Sequence, residues 1–508
     1  MEKNMIIAVS VSVLILFLWP TMFGKKQPTV NSVEKPKTVE QSLAAEKPVV
    51  KKEKIQTQNK GDTFIIENDV LKVVIDSKGA AVKQAIFKKY KSPEGQPLSF
   101  FGASAETMGA LKLSDAEDSI FSLVSKKDNS VVLKYNGIRV EYSLEKSAYA
   151  LNSKITYVGA EKIGMNILSF LPENTKDEYG LNSDPDKRKK ELLIYSGEKV
   201  QRLTPKDIRE KQVVAFSSSP KWVGVSDRYF LFSVITPANK GMITDVVAKH
   251  NKSASAASID FDITGNDGVF EYVAFVGPKD VTDLRKVDPT LAESIDYGWL
   301  TVISVPMLEL MKFFYRMIPN YGVAILILTL FVRLLMFPLQ QKSMKSMKKM
   351  QELQPHIKAL QEKYKGDKEK LNAEMMQFMK THKMNPMSGC LPMLLQLPVF
   401  IALYKVLANS VELYRAPFMF WITDLSIKDP YYVLPVLMGV MMFLQQKMTP
   451  NPTMDPTQAK MMMYMLPVIF TIFMISLPSG LTLYIMFSTL LGILQQHFMN
   501  KQTSYQKI

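Results

Sequence analysis

The chain has 508 residues, enough for two or three domains, and a formal net charge of +15. Its single cysteine excludes an intrachain disulfide framework, so any large domain outside the cytoplasm must be held by its core alone. An excess of basic charge points to nucleic acid or anionic lipid; in a chain with membrane spans it points to lipid and topology.

Residues 5–23 are a charge-free apolar run behind Met1-Glu2-Lys3. No small-x-small cleavage site follows, only Gly24-Lys25-Lys26-Gln27, so the run reads as an uncleaved anchor rather than a signal peptide. Residues 24–60 hold nine lysines with Pro28, Pro36 and Pro48, a composition that buries no core and reads as a disordered tether.

From 61 to 295 the pattern changes to short alternating segments. Val131, Leu133 and Tyr135 alternate up to Asn136-Gly137, and Ile138, Val140, Tyr142 and Leu144 alternate after it, which is a strong hairpin signal. Tyr149, Leu151, Ile155 and Tyr157 keep the period of two, as do stretches at 213–216, 222–235 and 259–276, with a turn at Gly265-Asn266-Asp267-Gly268. Many short strands bounded by turns predict a β-sandwich of roughly two hundred residues. The only histidine here, His250, lies in a polar stretch, and no metal cluster, Ser/His/Asp set or phosphate loop is visible. Glu141 and Glu145 read as solvated faces, and the domain as a binding or spacer module. Its end turns helical, with Val281, Leu284, Val287 and Leu291 at spacings of three and four.

In residues 298–318, Trp299, Ile303, Met307, Leu310 and Phe314 are expected on one face, with Glu309, Lys312 and Arg316 polar. Between a soluble domain and a span, such a helix is expected to lie flat in the bilayer interface. Pro319-Asn320 breaks it.

Residues 319–340 form a transmembrane run whose only charge is Arg333. That side chain starts about 18 Å along a helix from Tyr321 and about 9 Å short of Leu339. An intramembrane cation costs at least about 2.5 kcal/mol on insertion scales. The other apolar runs, 386–409, 431–448, 461–477 and 480–498, contain no carboxylate to offset it; they offer Ser388, Gln396, Gln445, Thr471, Tyr484, Ser488 and Gln495. Arg333 therefore either snorkels to the nearer interface or faces a wet pocket that receives acidic groups of something passing through.

Residues 341–385 hold eleven lysines against five carboxylates, which marks this side as cytoplasmic. Met344, Met347, Met350, Leu353, Ile357, Leu360 and Tyr364, then Leu371, Met375 and Phe378 beyond Gly366-Asp367, predict a helical hairpin kinked or begun afresh near Pro355. Its methionine stripe reads either as a seam between the two helices or as a soft face for varied partners. Six spans with both termini inside satisfy the lysines of this loop, of 447–460 and of the tail after Met499, and put the β-domain outside. The last four spans are short and interrupted by Pro392, Pro398, Pro435 and Pro467, which implies a locally thinned bilayer or a tilted bundle.

The stretches FVRLLMFPL (331–339), NPMSGCLPMLLQLPVFIALYKVL (385–407), YRAPFMFWITDLSIKDPYYVLPVLMGV (414–440) and LPSGLTLYIMFSTLLGILQQ (477–496) resemble the membrane core of the YidC/Oxa/Alb insertase family, in its Gram-negative form with a large periplasmic domain. Over the β-domain the likeness is looser and rests on FVGPKD (275–280) and the layout. The resemblance implies an α+β membrane protein with six transmembrane helices, a periplasmic β-supersandwich and a cytoplasmic helical hairpin. It also implies a non-enzymatic insertase of the bacterial inner membrane, with no cofactor or metal, acting alone or with the Sec translocon on nascent membrane proteins. Arg333 would be the arginine of a hydrophilic groove open to the cytoplasm and the lipid, and Thr329, Gln396, Tyr484 and Ser488 would line or flank it. Cys390 matches a family cysteine with a packing role. The tail after Met499 has nine residues, which makes the 341–385 hairpin the better candidate for contacts with the ribosome or targeting factors. Two other classes remain open from the residues: a secondary transporter or channel for a small anion, and a periplasmic scaffold or sugar-binding protein with a membrane anchor. The first lacks an internal repeat and paired intramembrane carboxylates.

Overall fold

The computed structural model describes residues 61–92, 95–100, 110–112, 119–157, 163–169, 191–204, 207–208, 210, 213–216, 220–236, 242–251, 256–264, 268–364, 366–382, 391–448 and 456–504. The expected anchor at 5–23, the tether at 24–60 and Cys390 lie outside them. All described residues belong to one compact unit.

The first part is built from eighteen strands among the described residues, from β1 (Thr63–Glu67) to β18 (Val269–Pro278). They form three antiparallel sheets: β1, β2 (Leu71–Asp76), β3 (Ala81–Lys91) and β4 (Pro97–Ser99); β13 (Val213–Phe216), β16 (Met242–Asn251), β17 (Ala256–Thr264), β10 (Ile163–Ser169) and β5 (Ala110–Lys112); and nine strands in the order β12 (Val200–Leu203), β11 (Glu191–Tyr195), β14 (Trp222–Ser226), β15 (Phe230–Ile235), β18, β9 (Ala150–Thr156), β8 (Ile138–Leu144), β7 (Ser130–Tyr135) and β6 (Ser122–Lys127). The Asn136-Gly137 hairpin forms as expected, joining β7 (Ser130–Tyr135) to β8 (Ile138–Leu144) with Tyr135 opposite Ile138. Both turn residues have positive φ, 40° and 81°, which matches the right-handed twist of the strands. Alternation puts Val140, Tyr142 and Leu144 inside, and the Tyr142 hydroxyl donates to Ala80 O at 2.8 Å.

Two strands depart from the expected alternation. Every residue of β14 (Trp222–Ser226) and β15 (Phe230–Ile235) is buried. The register pairs Trp222 with Ile235, so Trp222 and Phe230 lie on opposite faces of the sheet. Phe230 stacks on Phe87 of β3 (Ala81–Lys91), with ring centroids 4.7 Å apart. On the other face, Trp222 Nε1 donates to Thr290 Oγ1 in the 3-10 turn Pro289–Ser294. Covered on both sides, these strands have no solvent face to alternate with.

The predicted helical end is α1 (Val281–Val287), capped by Asp280, followed by that 3-10 turn. Then come α2 (Thr301–Met317), α3 (Tyr321–Glu352), α4 (Gln354–Lys363), α5 (Lys368–Thr381), α6 (Leu391–Asn409), α7 (Val433–Met448), α8 (Pro456–Met474) and α9 (Ser479–Ser504). Of the stripe expected on α2, Met307 is buried and Ile303, Leu310 and Phe314 are half-buried against the core. Ser304, Met307, Leu308 and Met311 are its buried residues, while Trp299 just before it is 81% exposed. Val302, Phe313 and Met317 are exposed as well, so the helix is apolar on both sides and a stripe count could not choose between them.

Helix α3 runs unbroken through Pro338 to Glu352, past the expected boundary at 340. A new helix begins at Gln354 with Pro355 in its first turn, where the missing N–H is tolerated. Helices α4 and α5 enclose a small core in which Ile357 is buried by Leu353, Met375, Phe378 and Met379. Among the described residues one helix segment, Tyr321–Ser346, is long and apolar enough to cross a membrane; Gln396–Asn409, Val433–Met448 and Met461–Met474 are shorter apolar stretches.

The link after α6 ties the sheets to the helices. The Tyr414 hydroxyl donates to Lys91 O at 3.0 Å, Arg415 donates to Ser92 O, and the Tyr414 ring lies 5.4 Å from that of Tyr229. From the other direction Arg228 donates to Ala408 O at the end of α6. Further along the link, Asp429 accepts from Trp421 Nε1 and from Leu434 N at the start of α7, and Gly480 N donates to Leu425 O.

Candidate functional site

Helices α3 and α9 pack together, each presenting polar residues at helical spacing. On α3, Thr329, Arg333 and Gln340 follow at intervals of four and seven; on α9, Tyr484, Ser488 and Gly492 follow at intervals of four. Such intervals keep each set near one face. The two stripes meet at Arg333, whose Nε donates to Ser488 Oγ at 3.1 Å while Nη2 donates to Ser488 O. Nη1 donates to Gln340 Oε1 at 3.0 Å. Among the described residues no carboxylate pairs with this guanidinium. The charge is therefore hydrogen-bonded to uncharged groups and not paired with a carboxylate among the described residues.

One turn before Ser488, the buried Tyr484 hydroxyl accepts from Gln396 Nε2 on α6 at 2.6 Å. Thr329 is also buried, but its hydroxyl donates to Ile325 O within its own helix. Of the five expected residues, the structure thus joins Arg333 with Ser488 and Gln396 with Tyr484, and leaves Thr329 bonded to its own backbone. Gln340 and Gly492 were not anticipated. Gln340 is the last residue of the 319–340 run, and its signal was the two-turn spacing from Arg333; Gly492 has no side chain, and its signal was the one-turn spacing from Ser488.

Around this polar seam the outer faces are apolar. Leu334 and Leu335 on α3, Val440 on α7 and Ile472 on α8 are each more than half exposed. An exposed apolar surface running over several helices suits lipid rather than water.

Residues 313–507 match the family described as 60Kd inner membrane protein, and residues 63–310 match the YidC periplasmic domain family. The membrane protein insertase YidC of Geotalea daltonii is 35% identical over 550 residues, covering 99% of each chain. This chain belongs to the YidC insertase family. The YidC protein of Geotalea uraniireducens is likewise 35% identical over 552 residues, again covering 99% of each chain. A crystal structure of an active YidC insertase with its first transmembrane domain resolved is 17% identical, with 96% of this chain and 98% of that one covered and a TM-score of 0.38. The expected family and activity hold: the chain is a membrane protein insertase of the inner membrane, and its β-sandwich is the YidC periplasmic domain.

Proposed function

We propose that insertion proceeds through the seam between α3 and α9, with Arg333 as the group that receives the polar part of an incoming chain. The observation that carries this reading is the set of partners around Arg333, all of them uncharged. A short hydrophilic segment enters from the cytoplasm and is drawn to the guanidinium where it is acidic, because attraction strengthens as the dielectric falls. The adjoining apolar segment slides along the lipid-facing sides of α6 and α8. Transfer from water to lipid drives insertion, and the membrane potential helps acidic residues outward.

The topology that fits this route has six spans with both termini in the cytoplasm and the β-domain outside. Helices α4 and α5 then lie on the cytoplasmic side, where their lysines suit contact with the ribosome or a targeting factor. The chain acts alone or with the Sec translocon.

Accessibility tests the route. With Cys390 replaced by serine, a cysteine at position 333 is expected to react with a membrane-impermeant maleimide added on the cytoplasmic side. Labelling only from the outer side, or none, would overturn the proposal.

A further inference from the structure

The Arg333 guanidinium is gripped along a defined edge. Nε and Nη2 both donate to Ser488, one to its hydroxyl and one to its carbonyl, and Nη1 donates to Gln340 Oε1 at 3.0 Å. A guanidinium carries five N–H groups. These contacts use three, one on each nitrogen, and leave one further N–H on each terminal nitrogen. Gln340 is buried and sits two turns after Arg333, so it supports Nη1 from the same helix face. Gly492 closes the other side. A Cβ there would lie 2.8 Å from Gln445 Nε2 and 3.3 Å from Arg333 Nη2.

We infer that Gln340 and Gly492 are positioning residues for insertion. Gln340 orients the guanidinium through a neutral acceptor, and Gly492 leaves the room in which it and Gln445 lie side by side. This inference rests on the reading of Arg333 as the receiving group. The neutrality of Gln340 is its central element. An amide oxygen aims the guanidinium without cancelling its charge, whereas a carboxylate at the same place would keep the hydrogen bond and satisfy the charge from within. An acidic residue of the incoming chain would then gain little by arriving.

The test uses the full-length protein in proteoliposomes and a small single-span substrate carrying one aspartate in its translocated segment, compared with the same substrate carrying asparagine. Wild-type protein is expected to insert the aspartate form faster. In Gln340→Glu the ratio of the two rates falls to about one. A purely structural Gln340 predicts the opposite, since glutamate preserves shape and hydrogen bond, so an unchanged ratio in Gln340→Glu would overturn the inference. Should that variant fail to accumulate, Gly492→Ala decides: a lowered ratio supports the cradle and an unchanged one removes it. A wild-type ratio of one would instead overturn the reading of Arg333, and the cradle with it.

Discussion

Lys312 Nζ lies 2.6 Å from Oε1 of Glu412, with Asp280 Oδ2 3.0 Å away as its second partner. The three residues come from the cap of α1, the middle of α2 and the link after α6, so one ammonium joins the end of the periplasmic domain to two parts of the helical region. Burial pushes the Glu412 carboxyl above its ordinary value, with Lys312 acting against that shift. Against the burial that lowers it, the two carboxylates hold Lys312 above the usual lysine range.

Lys312→Met would leave both carboxylates without their cation, and breaking a buried pair in this way costs about 3–5 kcal/mol. The thermal unfolding midpoint of the purified protein is expected to fall. The deficit is largest near about pH 7 and shrinks toward about pH 5, because the upshifted Glu412 then takes up a proton and its unpaired charge disappears. Lys312→Met combined with Glu412→Leu should recover much of the loss. An equal deficit at both pH values would contradict this account of the junction.

Lys279 gives a second pH signature. Its ammonium is enclosed at the end of β18, donating to Ser226 Oγ at 3.0 Å and Asp227 O at 2.7 Å. Burial draws its pKa down from 10.5 to about 8. Between those values the unfolded chain holds a proton that the folded chain has released, so the contribution of this group to stability rises with pH across that window. Wild-type protein should therefore gain in unfolding midpoint on Lys279→Met between about pH 7 and about pH 10. A constant difference would show that the lysine keeps its proton throughout.

Gly322, in the first turn of α3, is where that helix meets the link that follows α6. A Cβ at this position would clash with Phe418 Cδ2 and sit 2.8 Å from Phe418 Cβ, and the neighbouring Asn320 side chain donates to Phe418 O at 2.9 Å. Gly322→Ala must displace the link, at about 1–3 kcal/mol. Its unfolding midpoint should drop, and adding Phe418→Ala should restore part of it. A single variant as stable as wild type would mean the link yields freely.

What the sequence disclosed follows the physics of each signal. Asn136-Gly137 was legible because a two-residue hairpin turn needs two positive φ angles, and few residue pairs supply them. Arg333 and Ser488 were legible because polar groups stand out against apolar runs. The inner face of α2 was legible only in part: Met307 stood in the expected stripe, but Ser304, Leu308 and Met311 did not, since that helix is apolar on both sides. Nor was the fastening of the periplasmic domain, because its hydrogen bonds end on the carbonyls of Lys91, Ser92 and Ala408, and every residue carries a carbonyl. Burial of β14 and β15 on both faces depends on elements far away in the chain, which local alternation does not register.

Photo-crosslinking during synthesis tests the central claim most directly. A photoreactive residue is placed at position 333 or 484 while a small membrane protein is made in the presence of the insertase. The account predicts adducts between the insertase and the nascent chain from both positions, at lengths where the hydrophilic segment has just left the ribosome. Adducts with lipid alone, at every length, would contradict it.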